Sequence, residues 1–482
     1  MRNNLQFYID GSWVNPTTET AIDVINPADA SVAGRVAIGD ATDVDKAVAA
    51  ARKAFATYSL TSVEERLALL DRIIAAYQRR ASELALAISV EMGAPHWLAE
   101  QVQVPIGLAH FQIARGVLAN YDFGHSQDNN EIVREPIGVC AMITPWNWPM
   151  NQLTCKVAPA LATGCTMVVK PSEVSPFSAT ILAEIMDEAQ VPAGVFNLVH
   201  GDGKGVGNAL TSHPDIDLVS FTGSTPAGIE VARNAALTVK RVQQELGGKS
   251  PNIILPSADL GAAVDGGVAQ IMLNSGQSCN APSRMLVPAE RMAEAAEIAR
   301  RAAEEWVVGR PESNARMGPV ASEAQWNKIQ RLIQAGIDEG ATLVTGGPGR
   351  PDGLEDGFYV RPTVFADVTN DMTIAREEIF GPVLTIIGYS DEEDAVSIAN
   401  DTVYGLAAYV QGEQAEAQAV ARKLRAGQVL LNNAELDLSA PFGGYKQSGN
   451  GREWGAEAFG DFLETKAIVG FRKAPAEAEA AA

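Results

Sequence analysis

The sequence predicts a multidomain α/β protein, and three observations carry that expectation. At 482 residues the chain exceeds the roughly 100 to 200 residues that one compact core usually organises, so two or three domains are expected. Short apolar runs of strand character alternate with amphipathic helical stretches through most of its length, the pattern of parallel sheets covered by helices. Hydrophobic residues make up 46% and charged residues 20%, with 43 Gly and 25 Pro dispersed along the chain, a globular rather than a disordered balance.

From Ala41 to Gly93 the pattern is helical, with Val44, Ala47, Val48 and Ala51 at three- and four-residue spacing and a capping box of Ser62 and Glu65 ahead of LALLDRIIAAY. Strand-like GVCAMIT and TMVVKP, helix-like FSATILAEIMDEA and strand-like VFNLVH and LVSFTG then alternate. A parallel sheet of this kind gathers its loops beyond the carboxyl ends of the strands, here TPWNWP, KPSE, HGDGKGVG and TGSTPAG, and such a cluster reads as a nucleotide site. Glu245, in QELGGKSPN, is expected to end a helical stretch at a mobile loop. After Gly248, NIILP, RMLVP, GPVLTII and QVLLNN with the helical AERMAEAAEIARRAAEEW predict a second α/β region. The small and acidic residues of the tail APAEAEAAA cannot bury a core and are expected to fray.

A formal charge of −22, from 37 basic against 59 acidic residues, argues against nucleic acid and against anionic membrane surfaces as partners. The longest uncharged run, Pro136 to Cys155, carries Pro145, Asn147, Pro149 and Asn151 and reads as a buried segment, not a membrane span. The opening MRNNLQFYIDGSW has no apolar core of signal-peptide length, so a cytoplasmic location is expected. The four cysteines, at 140, 155, 165 and 279, are too few for a disulfide framework, and the five histidines form no metal-spaced cluster, so reduced thiols and no metal are expected.

Standard nucleotide fingerprints are absent: HGDGKGVG does not fit G-x-G-x-x-G, and GGKS lacks the earlier glycine of a P-loop. Gly203, Gly207 and Gly223 sit at strand-to-helix turns where backbone N–H groups can approach a pyrophosphate, although glycines also serve there simply as turn residues. Cys279 lies in the small, polar stretch NSGQSCNAPSR, whereas Cys140 and Cys165 lie in apolar surroundings. It is either a nucleophile or an ordinary loop cysteine. Glu245 is likewise either a general base or a solvated charge.

Taken together, TPWNWP, KPSE, FTGST, ELGGKSP, GQSCNAPSR, EEIFGPV and PFGGYKQSGNGRE stand in the order and rough spacing of the aldehyde dehydrogenase superfamily. The chain resembles its hydrolytic, non-phosphorylating NAD(P)-dependent branch over nearly its whole length, from GSWV to the strand after ETK. The resemblance implies the aldehyde dehydrogenase fold: a Rossmann-like cofactor domain from residues 1–117 and 137–248, an α/β catalytic domain from 249–447, and a small β oligomerisation extension from 118–136 and 462–482. In that extension a hairpin at about Ala119 to Glu135 docks beside the final strand, around Ala467 to Phe471, of or near a partner catalytic domain, giving a homodimer or homotetramer.

By the same resemblance Cys279 is the nucleophile toward an aldehyde. The Asn147 side-chain amide and the Cys279 N–H cradle the oxyanion, Glu245 activates the hydrolytic water, and Lys156 belongs to the catalytic set. Glu245 favours an acid product over the transfer of a CoA-acylating or phosphorylating relative, and the joint presence of Cys279, Asn147, Glu245 and Glu378 argues against a catalytically silent structural protein. Ester cleavage would be a side activity of the same thiol.

For the cofactor, Lys170 and Glu173 match residues that hold the adenosine ribose, and a carboxylate there repels a 2′-phosphate, so NAD is expected over NADP. Trp146, Gly203, Gly207, Gly223 and Ser224 would line the adenine and pyrophosphate path, with Ile143, Thr144, Ser172, Phe221 and Leu246 around it, and Glu378 and Phe380 would meet the nicotinamide ribose and ring. The substrate tunnel would draw on Trp148, Asn151, Gln152 and Cys155, on Leu273, Ser278 and Asn280, and on Leu436 and Phe442, with Glu435 and Asp437 near its mouth. Several of these are smaller than the aromatic residues frequent in the family, which points to a long or bulky aldehyde.

Overall fold

The computed structural model describes residues 2–313 and 315–471, so the tail APAEAEAAA and the part of the 462–482 extension beyond Phe471 lie outside the described residues. Helices Ala41–Tyr58, Val63–Arg79 and Ala81–Met92 fill the stretch of helical spacing. In the second, the Ser62 hydroxyl accepts from the Glu65 N–H at 3.2 Å while the Glu65 carboxylate accepts from the Ser62 N–H at 2.7 Å, a reciprocal cap. Ahead of these helices the chain forms five short strands whose alternation is too brief to read from sequence.

An eight-stranded sheet holds the first half of the chain. Its spatial order is Gly449–Asn450, Arg241–Glu245, Leu218–Thr222, Val139–Ile143, Thr166–Lys170, Phe196–Leu198, Phe7–Ile9 and Ser12–Val14. The five strands from Arg241–Glu245 to Phe196–Leu198 run parallel, and the strands at both edges run antiparallel. Val139–Ile143, Thr166–Lys170 and Leu218–Thr222 are buried at every residue, as a parallel sheet covered by helices on both faces requires.

Glu245 ends a strand, not a helix. Its segment pairs from Leu218↔Arg241 to Thr222↔Glu245, and its two glutamines find partners in the neighbouring strand and a covering helix: Ser220 Oγ donates to Gln243 Oε1 at 2.6 Å and Gln244 Nε2 donates to the Gly228 carbonyl at 2.5 Å. Partners distant in sequence thus outweigh the helical preference of a QQE run. Nor is Glu245 at a mobile surface loop, for it is 1% exposed.

The seven-stranded sheet orders Thr342–Thr345, Thr363–Ala366, Val383–Tyr389, Arg284–Pro288, Pro251–Ile254, Ala407–Gln411 and Gln428–Leu431, all parallel except the first pair. Gly449–Asn450 then returns the chain to the first sheet beside Glu245. A three-stranded sheet joins the hairpin Gly124–Gln127 and Asn130–Pro136 to the last strand, Leu463–Val469, of the same chain, in register from Leu463↔Pro136 to Val469↔Asn130. No helix among the described residues is long and apolar enough to cross a membrane.

Candidate active site

Cys279 stands where two cavities meet. A cleft of about 670 Å³ is lined by Trp146, Asn147, Gly223, Ser224, Leu246 and Glu378 among others, and a tunnel of about 1160 Å³ opens on the other side; Cys279 and Gln152 line both.

The segment that delivers the thiol is held by side-chain amides. Asn274 and Ser275 adopt left-handed backbone, with φ of +53° and +56°. Such a turn stands in non-glycine residues only when its surroundings fix it. Asn274 Nδ2 donates to the Asn147 carbonyl at 2.8 Å, Gln103 Nε2 donates to Asn274 Oδ1 at 3.1 Å, and Ser275 Oγ donates to the Gly318 carbonyl at 2.8 Å. Asn147 Nδ2 in turn donates to the Gln277 carbonyl at 2.9 Å, which ties the oxyanion candidate to the cysteine segment. Behind it, a Cβ on Gly248 would lie 2.1 Å from the Cys279 carbonyl, so glycine is the residue that permits this approach.

Burial, with the carboxylates of Glu245 and Glu378 nearby, pushes the Cys279 thiol up, so the resting group is the thiol. Burial, reinforced by Glu453, raises Glu245 well above the usual carboxylate range. Both Glu245 oxygens are buried without a hydrogen-bond partner among the described residues. A carboxyl so placed holds its proton more tightly than a solvated one, as groups that move protons at functional sites commonly do. Lys156 lies behind it, wholly buried and paired with Glu453; burial is the largest single influence and opposes its charge, but Glu453, Cys155 and Glu245 together outweigh it and its pKa rises. Sequence reasoning missed Glu453, because its partners lie far away in the chain and a glutamate beside an arginine carries no local signal.

The cofactor candidates fall in two groups. Trp146, Gly223, Ser224, Leu246, Glu378 and Phe380 line the cleft together. Glu378 accepts from the Gly248 N–H at 2.8 Å. Phe380 takes φ +59°, held by Gln325 Nε2 donating to its carbonyl at 2.7 Å, and its ring meets Trp146 edge-on at 5.5 Å. Gln325 and Lys328, which also line the cleft, went unread in the sequence.

Ile143, Thr144, Lys170, Ser172, Glu173, Gly203, Gly207 and Phe221 do not line that cleft; they lie at or just beyond the carboxyl ends of the first-sheet strands. Ile143 and Phe221 pack with Leu246 in one apolar cluster. The Thr144 N–H donates to the Lys170 carbonyl at 3.1 Å, Lys170 Nζ donates to the Gly201 carbonyl at 2.8 Å and lies 3.5 Å from Glu173 Oε2, and Ser172 Oγ accepts from the Val174 N–H at 3.2 Å. Gly203 and Gly207 bound a single wide helical turn that Asp202 caps through the Gly205 N–H.

Trp148, Asn151, Gln152, Leu273, Ser278, Asn280, Glu435, Leu436 and Phe442 line the tunnel. Trp148 Nε1 donates to Ser278 Oγ at 2.8 Å, and the Tyr409 hydroxyl donates to the Asn280 carbonyl at 3.0 Å. Cys155 is a correction: it does not line the tunnel. One helical turn below Asn151, it is 2% exposed in a cluster with Phe442 and Trp454, its thiol 3.3 Å from Glu453 Oε2. Asp437 also stays out of the tunnel wall, accepting from the Ser439 N–H at 2.8 Å at the surface. Trp454 completes the wall, stacked on Phe442 at 4.3 Å. The four cysteines are free, and no group of metal ligands occurs among the described residues.

A half-buried thiol between a cleft at the carboxyl ends of a parallel sheet and a tunnel of mainly apolar lining is the arrangement of an enzyme site. The chain belongs to the aldehyde dehydrogenase family, whose pattern matches residues 13–468. It is 56% identical to a 3-succinoylsemialdehyde-pyridine dehydrogenase of Pseudomonas sp. over 98% of this chain and 99% of that one. A mutant of aldehyde dehydrogenase C from Pseudomonas syringae, solved with NAD+ and octanal, superposes with a TM-score of 0.96 at 56% identity, covering 97% of each chain. A betaine aldehyde dehydrogenase mutant of Staphylococcus aureus, solved with NAD+, gives a TM-score of 0.94 at 36% identity over 98% of this chain and 97% of that one.

Proposed function

We propose that the protein oxidises a long or bulky aldehyde to its carboxylic acid with NAD+, through a covalent adduct on Cys279. The observation that carries this reading is the placement of Cys279 in the walls of both cavities, where one sulfur can meet a substrate from the tunnel and a cofactor in the cleft. The relative named for a pyridine semialdehyde and the neighbour that holds octanal both fit a roomy tunnel.

The cleft suits a dinucleotide. Thr222 Oγ1 is buried there without a partner among the described residues, and Ser224 caps the helix Thr225–Ala236, whose N-terminus favours a phosphate. Glu378 and Phe380 would meet the nicotinamide ribose and ring, Trp146, Gly223 and Ser224 the adenine and pyrophosphate path with Leu246 beside it, and Lys170 with Glu173 the adenosine ribose, where the carboxylate disfavours NADP. When bound, NAD+ supplies the hydride acceptor.

Cys279, once deprotonated, adds to the aldehyde carbon, and the Asn147 amide with the Cys279 N–H stabilises the oxygen that becomes anionic. Loss of hydride leaves a thioester on Cys279. Glu245 takes a proton from water as that water attacks the thioester, releasing the acid and the thiol. The balance is aldehyde, NAD+ and water to acid, NADH and a proton. Glu245 sets this hydrolytic outcome apart from acyl transfer to CoA or phosphate.

The test follows reduced nicotinamide by absorbance with a panel of aldehydes and NAD+ or NADP+, alongside Cys279→Ala. Turnover that favours NAD+ and vanishes in the variant is expected. Turnover that survives loss of Cys279, or none with any aldehyde, would sink the reading.

A further inference from the structure

One buried polar pair next to the tunnel takes no part in this chemistry. His110, on the helix Val104–Leu118, is 4% exposed, and its Nε2 lies 2.7 Å from Oδ1 of Asn151, on the first turn of the helix Pro149–Thr163. Burial lowers the His110 pKa to about 4, so the imidazole is neutral at ordinary pH and carries one N–H. With Oδ1, which can only accept, facing the ring, the tautomer that fits this arrangement carries its proton on Nε2. The Trp454 ring lies 5.7 Å from the imidazole and limits its movement.

With Oδ1 committed to His110, the group that Asn151 has left for the tunnel is its NH2, for which no acceptor occurs among the described residues. Trp454 Nε1, in the same wall, is buried without a partner among the described residues. An alkyl chain filling the tunnel displaces water from the Asn151 NH2 and returns no hydrogen bond. A chain carrying a carbonyl or another acceptor at that depth returns one.

We propose that His110 is a positioning residue that fixes the Asn151 amide with its NH2 toward the tunnel, so that the site selects aldehydes bearing a hydrogen-bond acceptor along the chain. The proposal rests on the dehydrogenase reading above and deepens it, naming the substrate class and the pair that selects it. The oxygen-facing imidazole matters because an Asn free to rotate would present either end to substrate, and discrimination would be lost.

Octanal is compared with 4-, 5- and 6-oxooctanal as substrates of the whole enzyme with NAD+. At least one oxo-aldehyde is expected to exceed octanal in kcat/KM by about tenfold, the gain lying in KM. Asn151→Leu should bring that ratio close to one. His110→Phe, which keeps the aromatic packing on Trp454 and removes the donor, should do the same through the KM of the oxo-aldehyde, although His110 does not itself line the tunnel. Asn151→Asp keeps an oxygen toward His110 but loses the NH2, and it must also lose the preference. Octanal turnover without any oxo preference in the wild type, or a preference that survives Asn151→Leu or His110→Phe, would overturn the proposal and leave the dehydrogenase reading standing. Failure of every aldehyde to turn over would remove both.

Discussion

Lys156 and Glu453 form an ion pair sealed from solvent, 0% and 2% exposed, behind the Glu245 carboxylate. Glu453→Gln strands a buried ammonium, and removal of one partner from such a pair costs about 3–5 kcal/mol. Urea unfolding at neutral pH should show a loss of that order. The same substitution removes a negative charge that helps raise Glu245, so the Glu245 pKa should fall. A general base works deprotonated, and activity rises with pH through its pKa; the acid limb of the kcat profile should therefore move to lower pH in the variant. A limb that stays in place would separate Glu453 from the chemistry.

Glu245→Gln keeps the shape of the side chain and removes the base. Since Glu245 acts after the thioester has formed, rapid mixing should show a burst of reduced nicotinamide close to one equivalent per site, followed by a steady rate lower by roughly 100- to 10,000-fold. Loss of the burst itself would place Glu245 before the thioester, in deprotonation of Cys279, whose thiol burial and the neighbouring carboxylates have pushed up.

Asn147→Ala removes the donor to the Gln277 carbonyl as well as the proposed oxyanion contact. A donor that strengthens in the transition state shows itself in kcat, which should fall by roughly 100- to 1,000-fold while KM changes little. If KM rises while kcat holds, Asn147 serves only to dock the cysteine segment.

Glu91 carries a different pH dependence. Wholly buried, it accepts from the Ser178 hydroxyl at 2.5 Å and from the N–H groups that open the helix Phe177–Glu188; burial raises its pKa to about 7 despite those bonds. The folded state thus holds a proton that the unfolded state, near the ordinary value of 4.5, has released. Stability from this group is present in full below the unfolded value and falls as pH rises toward 7. Glu91→Gln should flatten the Tm profile across that window, and a profile unchanged by the substitution would refute the assignment.

Much of the site was legible because its residues sit in short motifs at the ends of strands, and strand ends are where a parallel sheet presents its loops. Asn147 follows the strand Val139–Ile143 for that reason, whereas Cys279, Glu378 and Phe380 precede strands of the second sheet and were legible only through their motifs, and all four line one cleft. Residues whose surroundings are set by distant partners were not legible. In the QQE run of Arg241–Glu245, Gln243 accepts from Ser220 and Gln244 donates to Gly228, partners distant in sequence, and Cys155 packs in a cluster with Trp454 and Phe442 instead of lining the tunnel. His110 and Glu453 each gain their environment from a helix remote in sequence. The early strand Phe7–Ile9 is three residues long, too short to show a period.

Gly248 offers the sharpest test of how the cysteine is placed. Its N–H donates to Glu378 at 2.8 Å, and a Cβ there would stand 2.1 Å from the Cys279 carbonyl, well inside any contact that side chains tolerate. Gly248→Ala therefore forces either the cysteine segment or the Gly247–Gly248 backbone to move. Core overpacking of this kind costs roughly 1–3 kcal/mol, which a protein of this size can survive folded. The expected result is a soluble variant with a modest drop in Tm and a much larger loss in kcat, together with slower alkylation of Cys279 by iodoacetamide as its sulfur leaves the junction of the two cavities. Full activity in Gly248→Ala would show that the backbone relaxes without moving the thiol, and the close approach would then have no part in presenting Cys279 to substrate.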